Sequence, residues 1–149
     1  MEPSYQLSRL SEGTAAAAYP LVREVAGAGS LDEWLRFVAA RQNLNDESGI
    51  MVLRRDGYVR GVFAWRLTRD LANRPVLSVE LFAVLDTLLR QSASTALLDG
   101  LEALARRLGA ATIAADLEPG SDLMNHFRQR GFVVGSIGVR GQVCKHQEC

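Results

Sequence analysis

Cysteine is scarce in this chain, and the two present, Cys144 and Cys149, both stand at its C-terminal end with His146 between them. A tetrahedral zinc needs four ligands and only His126 remains as another His or Cys, so no metal centre is expected and the tail reads as a frayed end with two free thiols. An excess of either charge is also missing. Seventeen Lys and Arg balance seventeen Asp and Glu, so no overall field draws the chain to nucleic acid or to an anionic membrane surface. Long apolar runs are absent: Gly61–Trp65 and Leu81–Leu85 fall far short of the ~20 residues that span a bilayer. Met1–Leu10 carries an acid, a proline and alternating polarity in place of the basic start and apolar core of a signal peptide. The expectation is a soluble cytoplasmic protein in which any anion site is local. Its 149 residues suit one domain, 1–143, followed by a short tail, 144–149.

What is present is organised around Leu77–Gly109. An apolar strand, Leu77–Leu85, runs into a hydroxyl-rich turn, Leu89–Thr95, and then into an amphipathic helix, Ala96–Leu108, that Gly109 ends. A strand passing through a tight turn into a helix is a place where an anion can be held, because the first helical turn has no acceptors of its own for its N–H groups. Ahead of this, Tyr5–Leu10 alternates like a half-buried strand, and Ser11 can cap a helix over Ala15–Ala26 that Gly27 and Gly29 stop and Pro20 is expected to kink or split. Ser30 caps a second helix, with Asp32 and Glu33 in its first turn and Trp34, Leu35, Phe37 and Val38 on its apolar face. Asn43–Ser48 reads as a loop. Ile50–Leu53 and Tyr58–Leu67 flank Arg54-Arg55-Asp56-Gly57, a strong hairpin signal, and Val76–Leu85 returns as a third antiparallel strand. After the long helix, Ala111–Leu117 reads as a buried strand parallel to Val76–Leu85, Ser121 caps a last helix that Gly131 ends, and Phe132–Val143 reads as the closing strand or pair of strands.

This order resembles the GNAT N-acetyltransferase superfamily across essentially the whole chain. The family's cofactor loop, loosely A-V-x-P-x-x-R-G-x-G-x-G/A before A-L-L, corresponds in length to Ala83-Val84-Leu85-Asp86-Thr87-Leu88-Leu89-Arg90-Gln91-Ser92-Ala93-Ser94-Thr95-Ala96-Leu97-Leu98. The family's later glycine-phenylalanine ending corresponds to Gly131-Phe132. The resemblance implies an α/β domain of GNAT fold, a mixed and largely antiparallel twisted sheet flanked by helices, with acetyl-CoA as co-substrate and an amine of a small molecule or protein as acceptor. Two glycine positions fall on Ser92 and Ser94, and the basic position falls on Leu89, so Arg90 and Gln91 stand in for it and the serine hydroxyls for the lost backbone approach. The residues implied to meet the cofactor are Val84, through its backbone amide, Arg90, Gln91, Ser92, Ala93, Ser94, Thr95 and Asn125.

Amine acylation needs a base for the ammonium proton. Glu80 interrupts an apolar run and is the candidate, on the expectation that it lies near a buried face where desolvation raises its pKa. Its plainer role is an ion pair with an arginine of the adjacent strand, Arg60 or Arg66. Glu118 is held in reserve. Phe127 falls where many family members have a tyrosine acid, so that role is unassigned, and His126 reads as a surface residue. Trp34, Phe37, Phe63 and Trp65 read as core, and the arginines of the hairpin, interleaved with Asp56 and Asp70, as a solvated face. Two functions from other classes stand beside the acyltransferase: a catalytically silent binding or regulatory module, and an interaction domain that dimerises through its last strands.

Overall fold

The computed structural model describes residues 5–27, 29–42, 47–85, 92–117, 122–133 and 135. In chain order the elements are β1 (Gln6–Arg9), a 3-10 turn (Glu12–Thr14), α1 (Ala15–Ala26), α2 (Leu31–Gln42), β2 (Ser48–Arg55), β3 (Tyr58–Arg69), β4 (Pro75–Val84), α3 (Ser92–Arg107), β5 (Thr112–Ala115) and α4 (Asp122–Gln129). The five strands form one mixed sheet in the order β1-β2-β3-β4-β5, antiparallel except for the β4–β5 pair. The chain forms two compact units, Met1–Asp116 and Leu117–Cys149. Among the described residues no helix is long and apolar enough to cross a membrane.

Local chemistry sets most of the first unit. Asp56 and Gly57 take φ of 53° and 81°, the positive values that a type I′ hairpin turn requires between β2 and β3. Gly27, at φ 67°, closes α1 in the left-handed conformation, and the Ser30 hydroxyl accepts from the Glu33 N–H at 3.1 Å to open α2. At the end of α3, Ala110 N–H donates to Ala105 and Gly109 N–H to Arg106, the paired bonds of a Schellman cap. Pro20 does not split α1. The proline and Ala16, whose carbonyl would have received its missing N–H, both lie on the exposed side of the helix, where water can take the orphaned acceptor.

The two faces of the sheet are covered by different helices. On one, Val62 and Ala64 of β3 and Ile50 and Val52 of β2 join Leu10, Ala15, Ala18, Leu21, Val22, Trp34 and Val38 in a buried cluster under α1 and α2. The Trp34 indole N–H donates to the Ala15 carbonyl at 2.8 Å, so its burial leaves no unmet donor. Alternation sends Gly61, Phe63 and Trp65 to the opposite face, where α3 packs with Leu97, Leu98 and Leu101 fully buried. Each of these leucines contributes ~1.5–3 kcal/mol by leaving water. Glycine permits the closest approaches on this face: a Cβ on Gly61 would sit 3.0 Å from Leu97, and one on Gly100 of α3 would run into Leu7 of β1. Trp65 is itself buried, with no acceptor for its indole N–H among the described residues, and is pressed against Gly49.

Three expectations need correction. Helix α3 starts at Ser92, not at Ala96, so Ser92, Ala93, Ser94 and Thr95 are its first turn and not part of the preceding loop. Strand β5 covers only Thr112–Ala115 and is half exposed, shorter and wetter than the buried strand expected over Ala111–Leu117. His126 of α4 is buried, not on the surface. Phe132, Val133 and Gly135, at the start of the expected closing strand, are not in a strand, while the rest of that stretch to Val143, the tail with Cys144 and Cys149, and the reserve acid Glu118 lie outside the described residues.

Candidate functional site

The site is built from the way β4 leaves its neighbours. Strand β5 pairs with β4 only over Val76–Val79, while β4 continues for five more residues to Val84. The break coincides with a bulge: Ala64 of β3 faces Leu81 and Trp65 faces Val79, so Glu80 is an extra residue with no cross-strand partner. Beyond it, Leu85 N–H donates to the Arg60 carbonyl at 2.8 Å. Peptide groups alternate sides along an antiparallel ladder, so the Val84 N–H points away from β3, toward the edge on which β5 lies. Strand divergence and an outward amide thus occur on the same five residues.

The chain then passes to α3. Its first turn is small throughout, with Ala93 and Ser94 buried, Ser92 half-buried and Thr95 exposed. Ser92 Oγ lies 2.8 Å from the Tyr5 hydroxyl, which ties the start of β1 to this turn. The helix dipole places partial positive charge here, as an anion needs, and Thr95 is the one hydroxyl of the four residues on an exposed position. Ser94 is buried within this turn. Arg90 and Gln91 lie outside the described residues.

Glu80 does not sit on a buried apolar face. It lies on the α1–α2 side of the sheet with Ser78 and Arg66, and its carboxylate is held by two guanidiniums: Oε2 by Arg41 Nη2 and Oε1 by Arg66 Nε at 3.3 Å. Arg66 was one of the two pairing partners weighed from the sequence, whereas Arg41 comes from the last turn of α2. Its guanidinium carbon lies 3.6 Å from the centre of the Phe37 ring, one helical turn earlier. Ser48, buried at the start of β2, donates to the Arg41 carbonyl at 2.9 Å and fixes the end of that helix over the sheet. The i, i+4 spacing of Phe37 and Arg41 was the signal by which sequence reasoning could have found this arginine.

No protein-family model matches the sequence, and no curated protein does. Solved structures match closely in shape. An aminoglycoside 6'-N-acetyltransferase from Acinetobacter baumannii is 15% identical, with a TM-score of 0.75 over 96% of this chain and 100% of that one. A GNAT family acetyltransferase from Staphylococcus aureus is 12% identical, with a TM-score of 0.74 over 94% and 99%. The chain has the GNAT fold. An acetyltransferase from Trypanosoma brucei, 17% identical with a TM-score of 0.75 over 94% and 100%, has the same architecture.

Within the GNAT fold, Glu80 and Val84 therefore share the diverging part of β4, and Ser92 to Thr95 open the helix that follows it. Asn125 lies in the second unit, exposed on α4. Phe127 in the same unit is buried and packs edge-on against Phe132, ring centres 4.9 Å apart, so the position that carries a tyrosine in many GNAT enzymes is a packing residue here. Phe132 N–H and Gly131 N–H cap α4 on the Phe127 and Arg128 carbonyls, with Gly131 at φ 96°.

Proposed function

We propose that this chain is a divergent GNAT N-acyltransferase that moves an acetyl or similar acyl group from CoA directly to an amine. The observation that carries this is the end of β5 pairing just before Glu80, with an outward Val84 amide further along β4 and a first turn of α3 made of small residues. These features fit acetyl-CoA: an edge of β4 peptide that β5 leaves unpaired can receive an amide-rich chain, and small residues at a helix start admit a pyrophosphate. When bound, acetyl-CoA supplies an acyl thioester open to a nucleophile. Val84 N–H is assigned to the acyl carbonyl and the Ser92–Thr95 turn to the phosphates, with Arg90 and Gln91 preceding it. Glu80 is assigned as the proton acceptor, through Oε1, whose partner Arg66 is the more exposed of the two arginines.

The test is binding followed by turnover. Millimolar acetyl-CoA should raise the melting temperature, and Thr95→Glu should remove the rise. An acid in the first turn of a helix is favoured by ~0.3–1 kcal/mol, and the melting temperature of the variant without acetyl-CoA, measured alongside, separates loss of binding from loss of stability. No shift in the wild-type protein sinks the proposal. A second reading, a silent binding or regulatory module, is favoured by one observation: both oxygens of Glu80 are already held by arginine. Release of free CoA thiol across a panel of amines, abolished by Glu80→Gln, would refute it.

A further inference from the structure

The cluster at the β4 bulge holds more positive charge than its carboxylate can neutralise. Arg41 and Arg66 share Glu80 alone, since among the described residues no other acid lies within ion-pair distance of either. Each guanidinium carries five N–H donors, and a carboxylate can engage only a few of the ten. Arg66 uses Nε on Glu80, which leaves its two terminal amino groups directed elsewhere, and its side chain is 48% exposed. Arg41 is the reverse, 16% exposed, stacked on Phe37, with Nε buried and without an acceptor among the described residues. One arginine is thus fixed in place as a source of positive potential and the other reaches solvent beside it. Around them the sheet offers hydroxyls in place of counter-charge: Ser48 and Ser78 are the cross-strand neighbours of Arg66, and Ser78 Oγ lies 2.9 Å from Thr68 Oγ1. The surplus charge stands where β4 and β5 separate, since Val79, next to Glu80, makes the last β5 pairing.

We propose that the acceptor is an amine that also carries an oxyanion, a carboxylate or a phosphate, and that Arg66, backed by Arg41, receives that group. This rests on the acyltransferase reading above. A planar fork of N–H donors binds either oxyanion through paired hydrogen bonds, which an ammonium cannot do. With the oxyanion on Arg66, the amine of the same molecule lies within a few bonds of Glu80, so one cluster selects the substrate and faces its proton. Arg66 is a specificity-determining residue in this scheme, and Arg41 a positioning one.

The experiment uses two matched pairs of amines, phenylalanine against phenethylamine and glucosamine 6-phosphate against glucosamine, with the full chain and acetyl-CoA. The expected result is that the oxyanion-bearing member of at least one pair has a kcat/KM at least ~10-fold higher, mainly through KM, and the pair that shows it tells carboxylate from phosphate. Arg66→Gln should bring that ratio near one, Arg66→Lys should restore part of it, and Arg74→Gln, remote and paired with Asp70, should leave it unchanged. The same four compounds are tested for a shift in melting temperature without acetyl-CoA. If no amine is acylated but an oxyanion-bearing one still binds through Arg66, the acyltransferase reading fails and the oxyanion site stands. Ratios near one in both pairs with no binding difference, or a ratio that survives Arg66→Gln, would overturn the proposal.

Discussion

Replacing Glu80 by glutamine strands two guanidiniums at once, and the structure says how much that should matter. Removing one partner of a buried ion pair costs ~3–5 kcal/mol, whereas exposed pairs are worth ~0–1 kcal/mol. The Arg41 and Glu80 side chains are 16% and 23% exposed, between those limits and nearer the buried one, and Arg66, at 48%, can turn to water. The expected loss for Glu80→Gln is therefore about 1.5–3 kcal/mol, or roughly 3–12 °C in melting temperature for a chain of this size. Urea titration monitored by circular dichroism measures it. Arg41→Met should cost a similar amount, because it leaves Glu80 with only the exposed partner. The double variant Arg41→Met/Glu80→Leu should recover most of the loss, since two apolar side chains of similar volume can replace a buried pair. A Glu80→Gln protein within ~0.5 kcal/mol of wild type, or a double variant whose losses simply add, would refute the description of this pair as a partly buried, mutually dependent unit. The same variants separate stability from chemistry. If Glu80 takes a proton during turnover, Glu80→Gln stays inactive at temperatures where it is fully folded, and the double variant regains stability without activity.

Two further outcomes follow from features away from the site. Gly100→Ala should stabilise α3 by ~1 kcal/mol when Leu7 is also alanine, and by less with Leu7 present, because the new methyl displaces that side chain; equal gains in a double-mutant cycle would show that β1 and α3 do not meet there. Asp70 Oδ1 accepts the Arg74 and Ala72 N–H groups, each at 2.9 Å, and Oδ2 the Arg74 Nε at 3.0 Å, which hold its carboxyl below the ordinary value of 3.8. A lowered folded-state pKa means stability that is present above 3.8 and lost as pH falls through the lowered value. The advantage of wild type over Asp70→Asn in urea midpoint should therefore shrink between neutral pH and strong acid, and a constant gap would refute that account.

Local signals carried the fold a long way. Asp56-Gly57, Ser30, Gly27 and Gly109 each act within a few residues of themselves, and the elements they bound lie where the sequence placed them. Helix α1 matched residue for residue because its stop and its apolar spacing agree. The misses share a cause, which is that burial is decided by partners distant in the chain. Alternation along β4 cannot show an extra residue, nor that Arg41, from a helix, and Arg66, from the next strand, cover the face on which Glu80 falls. The start of α3 at Ser92 depends on Ala93 and Ser94 being buried and on Tyr5, 87 positions earlier in the chain, meeting Ser92. The exposed side of α1 that tolerates Pro20 is likewise set by the sheet and not by the residues around the proline.

The extra residue in β4 can also be seen as an insertion that the sheet has absorbed. Val79, opposite Trp65, already faces the α3 side, and Leu81, opposite Ala64, the α1–α2 side, so a chain without Glu80 would close into regular alternation with both halves of the strand keeping their faces. What such a deletion removes is the carboxylate that Arg41 and Arg66 share. The ladder therefore does not need this residue; the two guanidiniums do.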